Sequence, residues 1–226
     1  MGVAKARSPG GTSYVDLYWI PLGAGGHVVG LNGRVFEAIV ALKERRRPLD
    51  LYHSALVVKS SARTFVIEVT PVPRTSGTDR GVVGGGPVGS RLVGALRVFR
   101  YEVHCWEGGV IPDVAEAVES PRRLTDDPAT ANRLLNLASL VPTPVWGRDE
   151  LRAGEMWNSN SVVSWLTERA GLGAGPISLP VGGRAPGWDA GRVVAHRQDR
   201  WPHAAVWPDH LANGRSTTLH SPDVRT

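Results

Sequence analysis

The sequence predicts an α+β domain in which an antiparallel sheet packs against a few helices. Two observations set the class. Leu51 to Lys59 and Thr64 to Thr70 are apolar, β-branched runs separated by a short polar turn, the pattern of an antiparallel hairpin. Two helix starts are marked by capping residues, at Asp127-Pro128 and at Asn158-Ser-Asn-Ser161. The scale agrees: 226 residues, 42% hydrophobic and 21% charged, supply one core and fall short of two full domains. The expected division is a single domain over residues 1–195 and a loose, poorly ordered tail over residues 196–226.

Taken in order, Tyr14 to Ile20 alternates and is rich in β-branched and aromatic residues, so it reads as a strand ended by Pro21 and the glycine loop Gly23 to Gly26. Asn32 is expected to cap a helix in which Val35, Ile39 and Leu42 keep helical spacing up to Pro48. Arg45-Arg46-Arg47 fall in its last turn, where cations favour the negative end of the dipole. The hairpin that follows carries His53 and Glu68. Gly77 to Gly94, with Gly84-Gly85-Gly86, lacks the Gly-Lys-Ser/Thr ending of a phosphate loop and is expected to be a flexible loop.

Arg97 to Trp106 reads as a further strand, and Asp113 to Glu119 as a connection or helical turn before Pro121. Asp127-Pro128 starts a helix that Leu134, Leu135 and Leu137 carry to about Val141, before Pro142 and Pro144. Asn158 to Ser161 start another, through Val162, Val163, Trp165 and Leu166, with Gly171 as its C-terminal residue. Gly173 to Trp188 is loop-like, Arg192 to Ala195 is read as an added edge strand, and Pro202 onward as poorly ordered.

Composition narrows the function classes. A formal charge of +5 and a pI near 9.9 admit acidic partners, yet the basic residues are scattered, so nucleic acid or an anionic surface is the least supported partner. No apolar run approaches the roughly 20 residues of a membrane helix, and Met1 to Thr12 lacks a secretory core, so a cytoplasmic protein without a transmembrane segment is expected. The lone Cys105 excludes a disulfide framework and a thiolate cluster, and His27, His196, His203, His210 and His220 have no metal spacing, so neither metal nor other cofactor is expected. Adjacent strand residues face opposite ways, so His104 cannot serve Cys105 as a base, and the cysteine is read as buried and inert. Trp19, Trp106, Trp165 and Trp188 are read first as packing.

The sharpest clue is an order of motifs: Tyr52-His53-Ser54-Ala55-Leu56, then Phe65-Val66-Ile67-Glu68, then Asn158 to Trp165. This order resembles circularly permuted papain-like domains, the NlpC-type group that includes relatives of lecithin retinol acyltransferase, over roughly Tyr14 to Gly171. In that group a motif such as Asn-Cys-x-Ser/Thr starts the nucleophile helix and a strand upstream supplies the histidine. The resemblance implies a nucleophile at Ser159, where the cysteine would stand, with Asn158 keeping the asparagine and Ser161 the small hydroxyl. It also implies His53 as base, with Glu68 able to orient the imidazole as the third member of a triad does. The departure matters: a serine hydroxyl is far less acidic than a thiol and needs both a base and an oxyanion hole. The chain is also similar to bacterial families of no assigned activity that carry Asn-Ser-Asn-Ser/Thr before an apolar helix.

Plainer readings stand beside these. All residues of Asn158 to Ser161 are favoured at helix N-caps, where one suffices for an orphan N–H. His53 in an apolar strand is as readily a hydrogen-bonded structural residue, and Glu68 a solvent-facing one. Three functions follow. The first is an amide or ester hydrolase working through Ser159, His53 and Glu68. The second is an inactive relative that binds an unknown small molecule, lipid or peptide through Asn158, Asn160, Ser161 and His53. The third is a basic protein that binds nucleic acid or an anionic surface.

Overall fold

The computed structural model describes residues 12–22, 49–72 and 81–200. The glycine loop, His27, the helix expected from Asn32 to Pro48 and the segment from residue 201 onward lie outside them. Strands β1 (Tyr14–Pro21), β2 (Asp50–Ser60), β3 (Arg63–Pro71), β4 (Val82–Pro87), β5 (Arg100–Glu107) and β6 (Val118–Thr125) form an antiparallel sheet of order β4-β5-β3-β2-β1-β6. Helices α1 (Pro128–Leu137), α2 (Ser159–Arg169) and α3 (Trp188–Arg200) follow in sequence, and the two-residue β7 (Gly183–Arg184) pairs parallel with the start of β2. The expected α+β class and the β2–β3 hairpin are both present.

Period-2 alternation gives the sheet two buried faces. Leu17, Trp19, Leu56, Val58, Ile67 and Val103 point to one side, where Leu134 of α1, Val162, Val163 and Leu166 of α2, and Val194 of α3 complete the main core. Full burial of each such aliphatic side chain stabilises the fold by roughly 1.5–3 kcal/mol. Ile20, Ala55 and Val66 point to the other side and pack with Ile111 from the β5–β6 connection. Trp19, Trp157 and Trp165 are buried, so these rings serve as packing. Cys105 packs against the main core and burial pushes its thiol up to about 11, while His104 takes the opposite face, as alternation requires.

Three expectations are corrected. The Gly77 to Gly94 loop contains β4, because its glycines permit an approach no side chain would: a Cβ on Gly85 would lie 2.6 Å from the Tyr101 carbonyl oxygen, and one on Gly86 2.8 Å from that of Thr143. Beyond Glu116, Val118–Thr125 is strand β6 despite Pro121, an edge strand held by the pairing of Asp16 with Arg123 at 2.5 Å. Arg192 to Ala195 belongs to helix α3, whose buried Ala190, Gly191, Val194 and Ala195 follow helical spacing against α2. Helix α3 runs to Arg200, past the expected domain boundary at residue 195.

The helix ends follow their sequence signals. Asp127 caps α1 by accepting from the Thr130 N–H at 2.8 Å. Gly171, at φ 88°, ends α2 as its N–H and that of Leu172 donate to the Glu168 and Thr167 carbonyls, a Schellman motif.

Candidate functional site

The start of α2 is a buried polar clamp. Asn158 is the N-cap: its Oδ1 accepts from the N–H groups of Asn160 at 2.9 Å and Ser161 at 3.3 Å, while Ser161 Oγ accepts from the Asn158 N–H at 3.1 Å, closing a capping box. Asn158 Nδ2 donates to the Pro186 carbonyl at 2.8 Å, and Ser161 Oγ donates to that of Gly187 at 2.7 Å. Asn160 reaches both neighbouring elements. Its Nδ2 donates to the carbonyls of Tyr52 and Pro186, each at 2.9 Å, and its Oδ1 accepts from Ser54 Oγ at 2.9 Å. One turn on, Ser164 Oγ donates to the Trp188 carbonyl at 2.6 Å.

These bonds fasten α2 to strand β2 on one side and to the 186–188 turn on the other. The turn must come close to do so. A Cβ on Gly187, at φ 83°, would lie 2.7 Å from Asn158 Oδ1, and one on Gly191 would collide with the Ser161 carbonyl and Ser164 Oγ. The polar groups of Asn160 and Ser161 are both buried and both satisfied, which fixes the helix rather than presenting donors to a ligand. The three residues expected to bind a ligand, Asn158, Asn160 and Ser161, are thus all engaged within the protein.

The expected Ser159, His53 and Glu68 relay is not assembled. Ser54 turns its hydroxyl toward α2, so His53, one residue earlier, points to the opposite face. Its cross-strand partner Ile20 belongs to the second core, and the Asp113 carboxylate acts on it from that side. Burial holds the imidazole below its ordinary value, with Asp113 opposing the shift. Glu68 shares this second face, directly across from His104, whose Nε2 lies 3.3 Å from Glu102 Oε2. Ser159 stands in the helix layer on the other side of the sheet, and its hydroxyl makes no hydrogen bond among the described residues. Of the three, only His53 and Glu68 share a face.

Sequence reasoning missed a cavity of about 560 Å³ beside the clamp, bounded by the 173–179 loop, Arg184, Ala185 and the first turn of α3. Glu155, Arg184 and Asp189 supply charge there and Trp188 an aromatic wall. Glu168 is nearly buried and accepts from Arg192 Nε at 2.8 Å, while Arg184 stands 3.7 Å from Glu155. These residues come from separate stretches of the chain between Glu155 and Arg192, so no local spacing marks them. Among the described residues no group of three or more His, Cys, Asp or Glu is placed to hold a metal ion. No protein-family model, no curated protein and no solved structure matches the chain.

Proposed function

We propose that the chain is a permuted papain-like domain that works by binding, holding a small molecule or peptide segment in the cavity between the 173–179 loop and α3. The observation that carries this reading is the clamp: Asn158, Asn160 and Ser161 at the helix start are engaged inside the protein, while His53 lies on the face of the sheet away from Ser159. The adjoining cavity supports it, with carboxylates on Glu155 and Asp189, a guanidinium on Arg184 and the ring of Trp188. A lining with both signs of charge suits a zwitterionic or peptide-like ligand, whose ammonium and carboxylate ends each find a partner. Screening short peptides and amino-acid derivatives by thermal shift tests it. The expected result is a ligand that stabilises the wild type and loses that effect with Arg184→Ala; a panel that stabilises neither protein counts against the reading.

The hydrolase alternative retains one favourable observation, the Ser159 hydroxyl at the positive end of α2, which makes no hydrogen bond among the described residues. Labelling with a fluorophosphonate probe separates the two readings. The binding reading expects no more labelling of wild type than of Ser159→Ala. Labelling abolished by both Ser159→Ala and His53→Ala would establish the hydrolase.

A further inference from the structure

Between β4 and β5 the chain makes a knuckle of two short 3-10 turns, Leu92–Ala95 and Arg97–Phe99. Four of its apolar side chains are exposed: Leu92 is 92% exposed, Leu96 58%, Val98 57% and Phe99 41%. Single exposed apolar residues are ordinary on a protein surface, but four within eight consecutive residues point to an interaction site. The backbone beneath is anchored. Val88 N–H donates to the Phe99 carbonyl at 2.8 Å, Phe99 N–H to the Leu96 carbonyl at 2.9 Å, and Arg100 Nη1 to the Gly94 carbonyl at 3.1 Å. Gly94 itself is buried, and a Cβ there would lie 2.6 Å from that of Pro87.

The charge along the knuckle has one sign. Arg91, Arg97 and Arg100 interleave with the apolar residues, and residues 88–101 contain no carboxylate. Arg148 adds a further guanidinium, bonded to the Gly89 carbonyl at 2.6 Å. The acidic side chains contributed by the neighbouring loop are already engaged: Glu150 pairs with Arg91 at 2.5 Å, and Asp149 accepts from the N–H groups of Ala153 and Gly154. Arg97 has no ion pair among the described residues.

Exposed apolar side chains interleaved with arginines suit interfacial insertion: apolar groups enter the acyl boundary while guanidinium groups meet lipid phosphates. Nucleic acid would use the arginines but leave Leu92 and Leu96 in water. A protein groove would accept the leucines but would need an acidic rim to match the arginines. From this complementarity we infer that the Leu92–Phe99 knuckle is a peripheral anchor that inserts into the interface of an anionic bilayer. This surface is independent of the cavity beside α3.

The test is flotation of the full chain with phosphatidylcholine vesicles, with and without phosphatidylserine, at low and physiological salt. Expected is binding to the phosphatidylserine vesicles that weakens with salt. Leu92→Asp/Leu96→Asp is expected to lower it tenfold or more, and Arg97→Glu severalfold, with unchanged melting temperatures because these side chains make no core contacts. Absence of vesicle binding, equal binding to both vesicle types, or indifference to the paired leucine substitution would each overturn the anchor. So would a wild-type dimer in solution that Leu92→Asp/Leu96→Asp turns into a monomer, which would mean that a second copy covers the knuckle.

Discussion

The start of α2 and the knuckle before β5 reverse the usual partition of residues. At the first, the side chains of Asn160 and Ser161 are buried and bonded; at the second, leucine, valine and phenylalanine stand in water. The difference teaches where each segment draws its stability. The clamp is held by hydrogen bonds that a buried helix start must make, since every orphan N–H there costs free energy if left unpaired. The knuckle is held by backbone bonds, by Gly94 and by Arg100, so the exposed Leu92, Leu96, Val98 and Phe99 are free of structural duty.

Substitutions should break this contrast in a definite order. Asn160→Ala removes three side-chain bonds and leaves the Ser54 hydroxyl buried without its acceptor, so a loss of about 3 kcal/mol is expected, read as a lower urea midpoint. Asn158→Ala removes the cap and one carboxamide bond and should cost about 1–2 kcal/mol in the same measurement. Ser159→Ala, inside the same motif, should change stability by less than about 0.5 kcal/mol, because its hydroxyl bonds to nothing among the described residues. A large loss at Ser159 would sink the distinction between the clamp and its one uncommitted hydroxyl. Leu92→Ser should have the smallest effect, within about 0.5 kcal/mol despite replacing a leucine.

A pH measurement probes the face behind the sheet. The folded value of His53 lies below its unfolded one, so the unfolded chain takes up the proton first as pH falls. The contribution of neutral His53 is therefore complete above the unfolded value near 6.5 and is lost as pH drops toward the folded value. His53→Gln should flatten stability against pH in that window, whereas Asn160→Ala should lower the whole curve without changing its slope. Equal slopes in wild type and His53→Gln would show that the imidazole is not the group responsible.

Legibility in the sequence followed the range of the interactions. Strands β1, β2, β3 and β5 announce themselves through alternation and β-branching, and the caps at Asp127 and Asn158 through residue type. Strand β4 was hidden because glycine is depleted in strands, yet here Gly85 and Gly86 are what lets the edge lie against Tyr101. Strand β6 was hidden by Pro121 and its arginines, which an edge tolerates and a central strand does not. Helix α3 was misread because Val193 and Val194 suggest a strand when the spacing from Ala190 to Ala195 is ignored. At the site, the motif's position and capping role were readable. Its partners were not, because Tyr52 and Ser54 lie over a hundred positions upstream of Asn160.

That separation also orders events during synthesis. The strands that build the helix-facing side of the sheet leave the ribosome well before Asn160, Gly187 and Val194 exist. Until they do, Leu17, Leu56, Val58 and Ile67 have no cover, and the nascent sheet presents an adhesive surface to the cell. Closure of α2 onto β2 is thus a late, long-range step that cannot begin until most of the chain has been made.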